Sequence, residues 1–348
     1  MTNYIESSVL TKVKKPLDII QLKFPKLLYG QVMVKIYYSG VCRSQLMEKN
    51  GFRGKDKWLP HLLGHEGSGV VVKIGKGVKK VKNGDQVILS WIKSSGINSR
   101  NPEYLTKTNK KINSGKITTF SNYAVISENR IVKKPKLMPL KYAPLFGCAI
   151  PTGAGIVLNQ IKPKQNDVVM VLGLGGVGLS SIMALKALRI KKIIALDRNR
   201  IKLKLAKEIG ATNTIQITEK DIKNKNFRLF YKLNADYCIE STGLASIIEL
   251  GFSLINKNGK LVFASHPPAN KKIKLSPHDL ISGKKIEGSW GGSCNPDKDI
   301  PKIFKLFLKN KIKYKYIAKK IYKLSQINEA MSDLDTGKVL RPIIKMKH

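Results

Sequence analysis

The chain opens with segments in which apolar and polar residues alternate. QVMVKIYYSGVC, VVVKIG and GDQVILSW are short, rich in Val and Ile, and punctuated by Gly and Asn. This pattern predicts β-strands. The rhythm then changes. DVVMVLG is an unbroken apolar run, VGLSSIMALKAL has apolar residues at helical spacing, KKIIALD is again strand-like and RNRIKLKLAKEIGA again helical. ADYCIEST, GLASIIELGFSLI and GKLVFAS continue the alternation. Strand–helix alternation predicts right-handed βαβ units and a parallel sheet.

Beyond about Trp290 the alternation stops. Helices over DIPKIFKLFLKN and SQINEAMSDLDTG precede a terminal strand, VLRPIIKM, which is expected to return to the first, β-rich part. Lys93 to Lys116 is rich in Ser, Asn, Lys and Gly and reads as a long surface excursion. The uncharged run Val168 to Leu185 reaches the lower length for a membrane span. Its glycines and its change from β to α pattern favour strand–turn–helix instead. With 348 residues, two domains are expected. One is β-rich, over 1–149 and 290–348. The other is a doubly wound α/β domain over 150–289.

Charge complicates this ordinary picture. The formal net charge is +41, which raises nucleic acid or an acidic surface as a partner. Only nine of the 64 basic residues are arginines, and the lysines are spread along nearly the whole chain. No helix-turn-helix, zinc-finger or RNP motif accompanies them, so neither a specific nucleic-acid role nor a membrane role is expected. The four cysteines, Cys42, Cys148, Cys238 and Cys294, form no C-x-x-C pair and no disulfide framework. With a polar N-terminal segment, they suggest a reducing, cytoplasmic setting.

Two constellations carry chemistry. Gly173 to Gly178 reads GLGGVG, after a predicted strand and opening a predicted helix. Gly173 permits the tight turn, Gly175 lets backbone approach a pyrophosphate, and Gly178 allows close helix–strand packing. The helix N-terminus, at Gly176 and Val177, then faces the phosphates. Asp197 ends the next strand, where a carboxylate bonds ribose hydroxyls and repels a 2′-phosphate, favouring NAD over NADP. Arg198 and Arg200 beside it leave NADP open. The second constellation is Cys42, His65 and Cys148. Two thiolates and an imidazole are three of the four ligands a catalytic Zn²⁺ prefers, with the fourth position open. Cys238, in a predicted strand, reads as buried packing.

The run GHEGSGVVVKIGKGV, with GDQV, GCAIPTGAG, GLGGVG and GKVLRPI in order, resembles the zinc-dependent medium-chain alcohol dehydrogenase family nearly end to end. The resemblance implies a GroES-like catalytic domain and a Rossmann coenzyme domain with the site in the cleft between them. It implies a catalytic zinc on Cys42, His65 and Cys148, with Glu66 able to join the metal shell. Ser44 would accept the alcohol's proton. Arg43 and Arg341 would meet the cofactor pyrophosphate, and Lys202 the ribose, with Arg198 beside it. Thr152 would lie beside the nicotinamide, and Trp91 in the substrate pocket. A homodimer is expected, with a tetramer as the alternative.

Three departures stand out. The lobe that holds a second, structural zinc in that family has no cysteine here, so a single zinc is expected. Met47 stands where the family often has a relay histidine, leaving His61 or His266 as candidates for proton exit. Gln45 replaces an acidic residue. The expected activity is hydride transfer between an alcohol or its carbonyl and NAD. A polyol, cyclitol or sugar-linked dehydrogenase is the alternative, and a non-catalytic nucleic-acid-associated protein the remote one.

Overall fold

The computed structural model describes residues 4–223, 233–268 and 270–348. The chain forms two compact units: Met1–Cys148 with Asn295–Pro301 and Lys315–His348, and Ala149–Cys294 with Lys302–Tyr314. The first unit is built on a seven-stranded sheet whose central strand is Gln31–Gly40. Glu66–Ile74 and Tyr123–Ser127 pair with it antiparallel. The terminal strand Ile343–Lys345 adds to it as well, so the tail does return to the β-rich part.

The alternation in Gln31–Gly40 explains its central place. Val32, Val34 and Ile36 enter one core with Val71, Val87, Leu89, Ala124 and Ile126. Met33, on the opposite face, joins a second core with Ile5, Val9, Leu22, Tyr104 and Val125. Side chains alternate across a strand, so one segment supplies both cores.

The Lys93–Lys116 stretch is mostly exposed, as expected of a surface excursion, but it is anchored. Tyr104–Leu105 pairs antiparallel with Lys111–Ile112, and Tyr104 and Ile112 are buried in the second core. Tyr104 Oη accepts a hydrogen bond from Val125 N at 2.8 Å. Two well-placed apolar residues outweigh a polar composition. No cysteine holds this lobe; a buried carboxylate does. Glu128 Oε1 accepts from the backbone N–H of Lys79 and Lys80, at 2.7 and 2.8 Å. Its Oε2 accepts from Ile97 N at 2.7 Å. Burial alone would raise its pKa, but these three N–H donors hold it below the ordinary value.

The second unit is a six-stranded sheet in which every pairing is parallel. Val168–Leu172 lies at its centre beside Lys192–Asp197 and Ala235–Glu240. These strands are near-continuous apolar runs because helices cover both faces of such a sheet. The Val168–Leu185 run resolves into strand Val168–Leu172 and helix Gly176–Ala187. Among the described residues no single helix is long and apolar enough to cross a membrane. Asn199 caps the helix Arg200–Ile209 by accepting from Ile201 N and Lys202 N.

Replacing Glu128 by Ala strands three backbone N–H groups, and is expected to cost roughly 3 kcal/mol in a urea titration. The sign with pH follows from its lowered pKa. Its contribution is complete above the unfolded-state value of about 4.3 and is lost as pH falls through the lower folded value. Glu128→Gln should therefore flatten that part of the acid-unfolding curve.

Candidate active site and metal centre

The strand Gln31–Gly40 ends just before Cys42, which is the N-cap residue of the helix Arg43–Lys49. His65 immediately precedes the strand Glu66–Ile74. Cys148 follows the 3-10 helix Leu140–Gly147. Distant in sequence, the three side chains converge, with one donor atom of each within 4.8 Å of the others. His65 Nε2 lies 3.3 Å from Cys148 Sγ, and the two sulfurs are 3.9 Å apart. Donors on a tetrahedral zinc are separated by roughly 3.6 Å for N and S and about 3.8 Å for two sulfurs. The donor set and its spacing therefore fit that ion.

Backbone anchors set these positions. Gly64, at φ +90°, has its N–H on Gln45 Oε1. A Cβ there would stand 2.7 Å from Phe120 N and 2.8 Å from Thr119 N, so only glycine fits before His65. Ser39 Oγ and Thr119 Oγ1 both donate to the Glu66 carbonyl, at 3.0 and 3.1 Å. Ser90 Oγ donates to the Gly147 carbonyl at 2.8 Å, next to Cys148.

Burial and close approach shift the ionisation of these donors and of their neighbours Glu66 and Arg341. The hydrogen bond from Cys148 draws the Cys42 thiol well below its ordinary pKa; burial opposes this, and Arg341 and His65 assist. The same hydrogen bond, with burial, pushes Cys148 up. His65 is raised, because Cys42 outweighs the burial that would lower it. Glu66 is fully buried and ion-paired to the Arg341 guanidinium. Burial raises the Glu66 pKa and Arg341 counters it. Arg341, itself buried, is raised by Glu66 and the two cysteines despite desolvation. Ser44 Oγ is buried and has no hydrogen-bond partner among the described residues.

The second unit holds the nucleotide constellation. Gly173 turns at φ +86°, and a Cβ on Gly178 would collide with the Gly173 carbonyl. Gly175 has nothing within 4 Å of where a Cβ would stand. That space lies at the N-terminus of the helix beginning at Gly176 and Val177, and suits a phosphate. Asp197, at the end of its strand, accepts from Leu174 N at 2.7 Å and Asn199 N at 2.9 Å. It thus ties the glycine turn to the N-cap of the helix Arg200–Ile209. A group that sequence reasoning missed is Glu240, buried at the end of strand Ala235–Glu240. It accepts from Thr242 N at 2.5 Å and Ser265 Oγ at 2.7 Å, and Ser241 Oγ donates to the Gly173 carbonyl at 2.8 Å. The available signal was an acidic residue closing a buried strand before Ser-Thr-Gly.

The remaining candidates are dispersed. Arg43 is exposed and lies 3.8 Å from Asp335. Arg198 is exposed and paired with Glu219 at 3.3 Å. Lys202 N donates to Asn199 at 3.2 Å. Thr152 is buried in the helix Ala149–Gly155. The Trp91 carbonyl accepts from Arg130. His266 packs edge-on against Trp290, their ring centres 5.8 Å apart. Cys238 is buried in its strand, as expected.

Comparison with known proteins identifies the family. Residues 29–136 match the family described as alcohol dehydrogenase GroES-like domain, and 176–309 match zinc-binding dehydrogenase. The chain is 29% identical to alcohol dehydrogenase 6 of Peromyscus maniculatus, over 97% of each chain. An alcohol dehydrogenase zinc-binding domain protein from Burkholderia ambifaria superposes with a TM-score of 0.90 at 27% identity, over 99% of both chains. Benzyl alcohol dehydrogenase from Acinetobacter calcoaceticus superposes with a TM-score of 0.88 at 28% identity, over 99% of this chain and 100% of that one.

Arg341→Met leaves the Glu66 carboxylate buried without its counter-charge, and is expected to cost about 3–5 kcal/mol by chemical denaturation. The double variant Glu66→Gln, Arg341→Met should recover most of that loss. Additive losses would mean the two side chains do not stabilise each other.

Proposed function

We propose that this chain, a member of the zinc-dependent medium-chain alcohol dehydrogenase family, transfers a hydride between an alcohol, or its aldehyde or ketone, and NAD. One catalytic zinc per subunit and no structural zinc complete the reading. The observation that carries it is the convergence of Cys42, His65 and Cys148, with Ser44 two residues along from one of them. When bound, zinc supplies Lewis-acid polarisation of the reacting oxygen, and the nicotinamide supplies the hydride acceptor.

The residues of the chain do the rest. Cys42, His65 and Cys148 hold the ion and leave its fourth position for substrate. Ser44 Oγ, buried and unpartnered, receives the substrate hydroxyl's proton. The Glu66–Arg341 pair keeps a second anionic group beside the metal in reserve. The space at Gly175 and the N-terminus of helix Gly176–Ala187 receive the pyrophosphate. Asp197 meets the ribose and disfavours a 2′-phosphate, which selects NAD. The strand Lys285–Gly288 ends the parallel sheet, and its outer edge suits extension by a second copy in a homodimer.

The test is NAD⁺ reduction by purified protein across aromatic, short-chain, polyol and sugar alcohols, with a chelator-treated control. The similarity to benzyl alcohol dehydrogenase puts aromatic alcohols first. Chelator-sensitive turnover of one class is expected, with kcat/KM for NAD⁺ at least about tenfold above that for NADP⁺. Turnover of polyols or sugar alcohols alone would move the substrate class to the alternative; chelator-insensitive turnover would refute the zinc. Cys148→Ser is expected to lose both metal and activity, and full activity in that variant would refute the ligand set.

A further inference from the structure

The loop between the helix Arg43–Lys49 and the strand His61–Leu62 brings three further metal-ligating side chains together. We propose that Glu48, Asp56 and His61 form a second metal site, separate from Cys42, His65 and Cys148, for a divalent ion such as zinc. One donor atom of each lies within 4.8 Å of the others. Asp56 Oδ2 is 2.8 Å from His61 Nε2, and Glu48 Oε1 is 3.9 Å from the same nitrogen. Nitrogen and oxygen donors on one zinc are separated by roughly 3.3 Å. The two distances straddle that value, and small side-chain adjustments bring both to it.

Each donor is held from behind. His61 Nδ1 faces the Leu62 carbonyl at 3.0 Å, an acceptor that requires a hydrogen on Nδ1. In the neutral ring the lone pair is then on Nε2, aimed at the two carboxylates. Trp58 N donates to Asp56 Oδ1 at 2.9 Å, which leaves Oδ2 toward His61. Gln45 Nε2 donates to Glu48 Oε2 at 3.2 Å, and Arg53 lies 3.7 Å from that same oxygen, which leaves Oε1 toward His61. Every ligand thus has one atom fixed by an outer partner and the other directed inward, the arrangement that orients metal ligands. The side chains of His61, Asp56 and Glu48 are 8%, 14% and 24% exposed, so the donors are shielded and an ion still has a way in.

Three acceptors that face one another repel unless a cation sits among them. A proton on Nε2 meets that need without metal; a divalent ion brings twice the charge and bonds to all three. One imidazole and two carboxylates suit zinc, but without a thiolate they hold it less tightly than the cysteine-containing set. The second ion is therefore exchangeable. It would clip a weakly packed stretch: from Asn50 to Leu59 no residue is buried, and Phe52 and Trp58 are exposed. An ion on Glu48, Asp56 and His61 ties this loop to the helix before it and the strand after it.

The test is equilibrium dialysis of the zinc-loaded chain against rising micromolar zinc, with zinc per chain as the readout. A second equivalent is expected. Asp56→Asn, which is nearly isosteric, and His61→Gln should each weaken that equivalent at least about tenfold and leave the first in place. Trypsin cleavage after Arg53, Lys55 and Lys57, all exposed, should slow severalfold in the wild type as the second equivalent fills. Uptake that stops at one equivalent would overturn the site and leave an imidazolium ion pair in its place. So would a second equivalent whose affinity neither substitution changes, because the ion would then lie elsewhere.

Discussion

The catalytic-domain site depends on charge compensation in a buried place. Cys42, Cys148 and Glu66 can all be anionic, and Glu66 is fully buried. Isolated buried charges are costly enough that a group protonates instead of remaining ionised. Arg341 answers Glu66 directly. Arg341 and His65 also act on the two thiols. The hydrogen bond between them draws the Cys42 pKa down and pushes that of Cys148 up. Two sulfurs and an imidazole so placed are a donor set that suits a divalent ion such as zinc. The surrounding fold serves that arrangement: a glycine before His65, a paired hydroxyl grip on the Glu66 carbonyl, and Ser90 on the turn into Cys148.

A buried carboxylate also organises the lobe around Ile97. There Glu128 gathers backbone N–H groups from two separate segments, around Lys79 and around Ile97. Lys80 adds an ion pair with Asp297 at 2.6 Å. A carboxylate accepting three N–H bonds can hold a loop as a cysteine-bound ion does, by fixing several chain segments on one centre. The excess of lysine elsewhere is spread over the surface and changes solubility and attraction to anions more than fold.

Much of this was legible in the sequence because the strongest patterns are local. Strand–helix alternation gave the parallel sheet, and the glycine turn and Asp197 fall at the ends of two adjacent strands in it. The convergence of Cys42, His65 and Cys148 was legible only because a dense motif surrounds His65; the two cysteines alone would read as buried thiols. The polar composition of Lys93–Lys116 showed a surface segment but not its two buried anchors, Tyr104 and Ile112. Long-range polar partners were invisible. Nothing local ties Glu128 to Ile97, Gln45 to Gly64, or His61 to Glu48, because those contacts exist only once the chain has folded. Arg341 was read as a cofactor contact, and the structure gives it a buried partner, Glu66, far away in sequence.

The central claim is that Cys42, His65 and Cys148 together hold one divalent ion. The most direct measurement is cobalt substitution of the metal-depleted protein, followed by absorption spectroscopy as Co²⁺ is added. The account predicts one tightly held equivalent whose thiolate-to-cobalt charge-transfer band is abolished by Cys42→Ser with Cys148→Ser. Uptake without that band, or a band that survives the double substitution, would contradict it.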